Sequence, residues 1–206
     1  MSAVKLKVCG MREADNIQAL GALSPDYMGM IFWENSARYV TRPVPPSDSI
    51  KRVGVFVNPS KEEVHAVVEK HHLDLLQLHG DETPELCTEY QKIRPVIKAF
   101  AVGAHFDFQL LAPYESACDF FLFDTQGPLP GGNGVGFDWN LLHHYPSQKP
   151  FFLSGGIGPD TVADLKKIEN TSLPLHAIDV NSKFETEPGI KNIPLLQQFK
   201  MKYDAL

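Results

Sequence analysis

Eight short strand-like runs recur along the chain, at Lys5–Cys9, Tyr27–Phe32, Val53–Val57, Asp74–Leu78, Val96–Phe100, Phe120–Phe123, Pro150–Ser154 and Ala177–Val180. Most of the segments between them carry apolar residues at helical spacing. Short buried strands alternating with helices are the pattern of a parallel sheet, because parallel neighbours need long crossovers. Eight such units predict a closed (β/α)8 barrel. A doubly wound open sheet shares this periodicity and differs in whether the first and last strands pair. At 206 residues and 43% hydrophobic content the chain suits one domain spanning 1–206, at the short end for a barrel, with no stretch resembling a linker.

The outer helices have local signals. Ser60-Lys61-Glu62-Glu63 is a capping box ahead of Val64, Val67 and Val68, and Thr83-Pro84 opens a segment with Leu86, Cys87 and Tyr90 on helical spacing. Ala14, Ile17 and Leu20 follow the first strand; Val162, Leu165 and Ile168 follow the seventh, one apolar stripe each. A last helix is expected from about Asn192 to Tyr203. Thr41–Lys51 holds three prolines where the second helix belongs, so a loop or single turn is expected there and the second outer helix is short or missing.

The most suggestive loop lies in Phe151–Thr161, FFLSGGIGPDT. The apolar run suits a strand buried on both faces, and Pro159 suits the first turn of a helix. Between them Gly155 and Gly156 expose bare backbone whose N–H groups can point at an anion such as a phosphate. A tight strand-to-helix turn with no ligand has the same sequence. The formal charge of −6 leaves no broad basic field for nucleic acid or anionic lipid, so a bound phosphate would belong to a small metabolite. The start of the chain has neither an export signal nor a membrane-spanning run, and a soluble protein is expected. Cys9, Cys87 and Cys118 are odd in number and lack a Cys-x-x-Cys pair, against a disulfide framework or structural zinc and in favour of the reducing cytoplasm.

In such a barrel the reactive residues sit at the C-terminal strand ends and the following loops. That rule gathers Cys9-Gly10, Asn35 to Tyr39, Gln77 to Gly80, Asp124-Thr125, Ser154-Gly155-Gly156 and Ile178 to Ser182 around one mouth. Cys9 reads as a small buried hydrophobe or, with Gly10 opening space beside it, as a base; Cys87 and Cys118 read as core. Asp124 ends a very apolar run, an environment that raises a carboxyl pKa and favours a proton donor, and reads equally as a turn or capping aspartate. Arg38 offers a fork for a carboxylate or is a solvated surface arginine. His79, among apolar neighbours, has the setting of a hydrogen-bonded structural histidine, and His143-His144 that of a solvated helix end. No histidine and carboxylate set has metal-ligand spacing. Gly127 to Gly134 is a lid or a long connection.

Taken together, these stretches resemble the phosphoribosylanthranilate isomerase family nearly end to end. The resemblance is carried by Lys7 to Met11, Ser36 to Tyr39, Val53 to Asn58, Leu76 to Gly80, Phe123 to Thr125, Gly131 to Gly134 with Phe137-Asp138-Trp139, Leu153 to Gly156, and Ala177 to Ser182 with Glu185 and Pro188-Gly189. It implies an Amadori rearrangement of N-(5-phosphoribosyl)anthranilate to 1-(2-carboxyphenylamino)-1-deoxyribulose 5-phosphate in tryptophan biosynthesis, without cofactor or metal; a lone monomeric barrel is the default expectation for a chain of this kind. On the family's pattern Asp124 is the acid and Cys9 the base, Arg38 holds the anthranilate carboxylate, and Gly155, Gly156, Asn181 and Ser182 hold the phosphate, with His79 and Asp179 also against the substrate. The chain departs from that pattern at the proline-rich segment, at Asn181 to Phe184 in place of Ser-Ser-Gly-Val, and at Val135-Gly136 in place of a Lys-Thr pair; Lys183 either meets the phosphate or faces solvent. Two other readings are a different isomerisation or ring closure on a related phosphate-binding barrel, and a non-catalytic sensor of a phosphorylated metabolite.

Overall fold

The computed structural model describes residues 4–44, 49–127 and 137–205. The glycine-rich run at 131–134, Val135-Gly136 and the middle of the proline-rich segment lie outside them. Eight strands, β1 (Lys5–Val8), β2 (Tyr27–Ile31), β3 (Lys51–Phe56), β4 (Leu75–Leu78), β5 (Val96–Val102), β6 (Phe120–Thr125), β7 (Phe151–Leu153) and β8 (Leu175–Val180), pair in chain order as a closed parallel barrel. Closure is made by β8 lying parallel to β1, with Lys5 opposite Ala177, Lys7 opposite Asp179 and Val8 opposite Val180. This pairing excludes the open sheet.

Among the described residues five α-helices surround the barrel: α1 (Ala14–Gly21), α2 (Lys61–His71), α3 (Pro84–Gln91), α4 (Val162–Glu169) and α5 (Ile193–Asp204). The expected caps are in place, with Ser60 Oγ accepting from the Glu63 N–H and Thr83 Oγ1 from the Leu86 N–H. No helix occurs between β2 and β3 among the described residues, as the prolines predict. After β5 and β6 the crossovers are 3₁₀ segments, Phe108–Tyr114 and Trp139–His144, where the barrel rhythm alone predicts α-helices. Pro113 inside the first removes a backbone donor, and the second is followed at once by Tyr145-Pro146. A short antiparallel hairpin, β9 (Glu185–Glu187) with β10 (Ile190–Lys191), stands between β8 and α5, and periodicity did not announce it.

The strands are buried on both faces, and the two faces differ. Residues turned toward the helices, such as Val8, Leu76, Leu78, Phe121, Phe123 and Ile178, join the large outer core. Tyr27, Val53, Leu75, Ile97, Ala99, Leu122, Phe152 and Ala177 form a separate apolar cluster inside the barrel. Fully burying a large side chain of this kind contributes about 1.5–3 kcal/mol, so this plug closes the lower barrel. Lys7, Gln77, Asp124 and Asp179 are also buried. Buried charges and amides of that sort need partners or a function.

Candidate active site

Cys9 follows β1 and prolongs its pairing, donating its N–H to the Val180 carbonyl at 2.9 Å. The thiol fits because Gly29 on β2 has no side chain: a Cβ there would stand 2.6 Å from Sγ. Gly10, at φ +76°, turns the chain away, and a Cβ on it would meet Asn181 Oδ1 at 2.7 Å and Arg38 Cδ at 2.8 Å. Cys9 is thus packed just inside the mouth, 5% exposed. Burial pushes its thiol pKa up, while Lys7 and Lys191 pull it back down.

Asp124 projects from the end of β6. Its Oδ1 accepts the Thr125 N–H at 2.8 Å, and its Oδ2 stands 3.4 Å from His79 Nε2. Gln77 Nε2 lies 2.9 Å from His79 Nδ1, so the amide, imidazole and carboxylate form one chain across β4 and β6. His79 and Asp124 border a cavity of about 540 Å³ lined also by Asn58, Lys98, Phe100 and Tyr114. The charges of Asp124 and His79 act on Asp179, and its own charge acts on Cys9.

The loop after β7 is shaped by two glycines in the left-handed region, Gly155 at φ +84° and Gly156 at φ +72°. Their N–H groups donate to no acceptor among the described residues, and successive amides in such a conformation form an anion-binding concavity. Gly155 is also required by close packing, since a Cβ would stand 2.3 Å from Thr125 Oγ1 and 3.2 Å from Asp124 Oδ1. The loop therefore lies directly against the candidate acid. Asn181 and Ser182 follow the end of β8, and the Lys183 stem comes within 3.5 Å of where a Cβ on Gly158 would stand, with the residue exposed. Pro159 does not begin the helix. Thr161 donates its N–H and its hydroxyl to the Gly158 carbonyl, closing a separate turn, and α4 starts at Val162.

Residues 6–202 match the model of the family described as N-(5'-phosphoribosyl)anthranilate (PRA) isomerase. The chain belongs to this family. It is 43% identical over 203 residues to the N-(5'-phosphoribosyl)anthranilate isomerase of Parabacteroides distasonis, covering 94% of this chain and 90% of that relative. A phosphoribosylanthranilate isomerase crystallised with reduced 1-(o-carboxyphenylamino)-1-deoxyribulose 5-phosphate superposes with a TM-score of 0.83 at 28% identity, covering 99% of this chain and 100% of that one. Monomers generated from the dimeric isomerase of Thermotoga maritima superpose with a TM-score of 0.81 at 28% identity, with the same coverage.

Within this isomerase-family barrel, Cys9, Asp124, Arg38, His79, Gly155, Gly156, Asp179, Asn181 and Ser182 all surround the C-terminal mouth. Arg38 is not a free fork: its Nε and one terminal nitrogen grip Glu185 at 2.9 and 2.6 Å. Lys191 completes the cluster, bonding Glu185 Oε1 at 2.6 Å and Asn181 Oδ1 at 2.9 Å. His79 is hydrogen-bonded, as its apolar setting suggests, and the bond aims it at Asp124. The residue-by-residue reading passed over Lys7, whose Nζ lies 2.6 Å from Asp179 Oδ2 with no exposure. Its signal was available, a lysine two positions before Cys9 in a strand whose other face is apolar. Lys191 had none, because only the β9–β10 hairpin brings it to the site.

Proposed function

We propose that the chain isomerises N-(5'-phosphoribosyl)anthranilate by acid–base catalysis, with Asp124 as acid and Cys9 as base. Asp124 protonates the ribose ring oxygen, the C1–O bond breaks, and the anthranilate nitrogen lone pair forms the Schiff base. The Cys9 thiolate takes the C2 proton; the electron pair moves to give an enolamine, which becomes the ketone as C1 gains a proton and the 2-hydroxyl gives one up. The Gly155–Gly156 loop with Asn181 and Ser182 holds the phosphate, and the guanidinium edge of Arg38 not used by Glu185 takes the anthranilate carboxylate. His79 steadies Asp124, and Asp179 faces the sugar between acid and base. Fixing both substrate ends lowers the entropic cost of bringing C2 to the sulfur.

The observation that supports this reading is the packing of the Gly155 turn, read as the phosphate loop, against Thr125 and Asp124 Oδ1, the latter 3.2 Å from where a Cβ on Gly155 would stand. Purified protein added to freshly generated phosphoribosylanthranilate should abolish its fluorescence; unchanged fluorescence would refute the assignment.

We read the protein as a single-domain monomer of the reducing cytoplasm. Its three cysteines are free thiols, and its exposed large hydrophobic residues, among those described, are the scattered Leu86, Leu110 and Met201. Sedimentation of the purified chain tests the oligomeric state.

A further inference from the structure

We propose that Lys7 is a positioning residue for Cys9: its buried ammonium, anchored by Asp179, holds the positive charge that makes the thiolate accessible to catalysis. The inference rests on the reading of Cys9 as the base. Lys7 and Cys9 are two residues apart in an extended run, so both side chains project into the barrel, the lysine one layer below the sulfur. Lys7 and Asp179 are register partners on the strands that close the barrel, and their side chains meet at 2.6 Å.

A buried ion pair is a poor way to stabilise a barrel, since apolar side chains of similar volume usually do as well or better. The layer just below is built of such side chains. The pair is also incompletely satisfied, because Asp179 Oδ1 is buried without a hydrogen-bond partner. What the lysine does supply is charge at the sulfur. Burial works against the ammonium, yet Asp179 and Cys9 together hold Lys7 above its ordinary pKa, so it stays protonated.

The charged groups acting on Cys9 are Lys7 on its own strand, Asp179 on β8, Lys191 on β10 and Arg38 on the loop after β2. Asp179 opposes the thiolate. Lys191 and Arg38 share their charge with Glu185, each at 2.6 Å. Lys7 is the foremost of the groups favouring the thiolate, and its charge acts on the sulfur from the same strand.

The test is Lys7→Met, with thiolate formation at Cys9 followed by ultraviolet absorbance as the difference between each protein and its Cys9→Ser counterpart. The expected result is a midpoint raised by about one pH unit or more, roughly a tenfold smaller thiolate fraction at a given lower pH. The pH profile of kcat/KM should move by the same amount, with KM nearly unchanged. Should Lys7→Met leave Asp179 unpaired and the chain unfolded, the neutral pair Lys7→Gln with Asp179→Asn is read against Asp179→Asn alone, because losing Asp179 by itself lowers the Cys9 midpoint and the difference between the two isolates the lysine. A midpoint that stays in place in a folded variant, even one of reduced activity, makes Lys7 merely structural and overturns the proposal. Because the absorbance requires no turnover, full activity in Cys9→Ser would instead overturn the assignment of the base.

Discussion

Arg38 and Glu185, 147 positions apart in sequence, are locked in a two-toothed ion pair at the mouth of the barrel, with Arg38 Nε 2.9 Å from Oε1 and a terminal nitrogen 2.6 Å from Oε2. Lys191 bonds the same carboxylate from the β9–β10 hairpin. The arginine assigned to the substrate is thereby held rigid, with one guanidinium edge left for a ligand. Guanidinium–carboxylate forks are both strong and directional.

Removing that anchor should cost stability as well as binding. In Glu185→Ala two cations lose their shared partner, and breaking a largely buried pair costs about 3–5 kcal/mol. Burial raises the Glu185 pKa, but Arg38 and Lys191 more than reverse this and hold it below the ordinary 4.5. A depressed carboxylate stabilises the fold in full above its unfolded pKa and loses that contribution as pH falls through the folded value. Urea titrations should therefore show a large gap between parent and variant at neutral pH, closing in acid.

Asp124→Asn should lower kcat by roughly 10²–10⁴-fold, the range for a positioned acid or base. The amide oxygen can still accept the Thr125 N–H, so the fold and the affinity for a reduced product analogue should persist. Turnover and calorimetric titration on one sample separate the two, and a variant that binds and still turns over ends the role of Asp124 as acid.

The base gives a pH signature. Burial raises the Cys9 pKa above the ordinary thiol value of 9.0 despite Lys7 and Lys191, and a base works deprotonated, so kcat/KM should climb with pH through the neutral and mildly alkaline range. Cys9→Ser, whose hydroxyl does not ionise there, should lose about 10²–10⁴-fold and the climb with it. A flat profile for the parent protein contradicts the assignment.

Gly155→Ala probes the phosphate loop. A left-handed φ on a residue with a Cβ costs about 1–3 kcal/mol, and here the Cβ would also collide with Thr125. Melting temperature should drop. KM should rise roughly tenfold for every 1.4 kcal/mol of phosphate affinity lost.

The strands were legible because burial on both faces writes itself into short apolar runs, and all eight fall within two residues of their expected ends. Ser60 and Thr83 were legible at helix starts for a local reason, each side chain accepting from an N–H three residues on, and Asn192, expected as the first residue of the last helix, caps α5 in the same way. The start of α4 was misplaced since Thr161, rather than Pro159, decides how the preceding turn closes. The 3₁₀ crossovers escaped because a few apolar residues at near-helical spacing fit either helix type.

What the sequence by itself determined is the order of elements and the residues brought to the strand ends, since both follow from the short apolar runs of the strands and the helical spacing between them, which each segment carries alone. The tertiary structure decided the rest: that β8 closes on β1, that Lys7 meets Asp179 across this seam, and that Glu185 and Lys191 reach over to Arg38 and Asn181. Those contacts join residues far apart in the chain, and their charges acquire partners and shifted pKa values only once closure has taken water away from them.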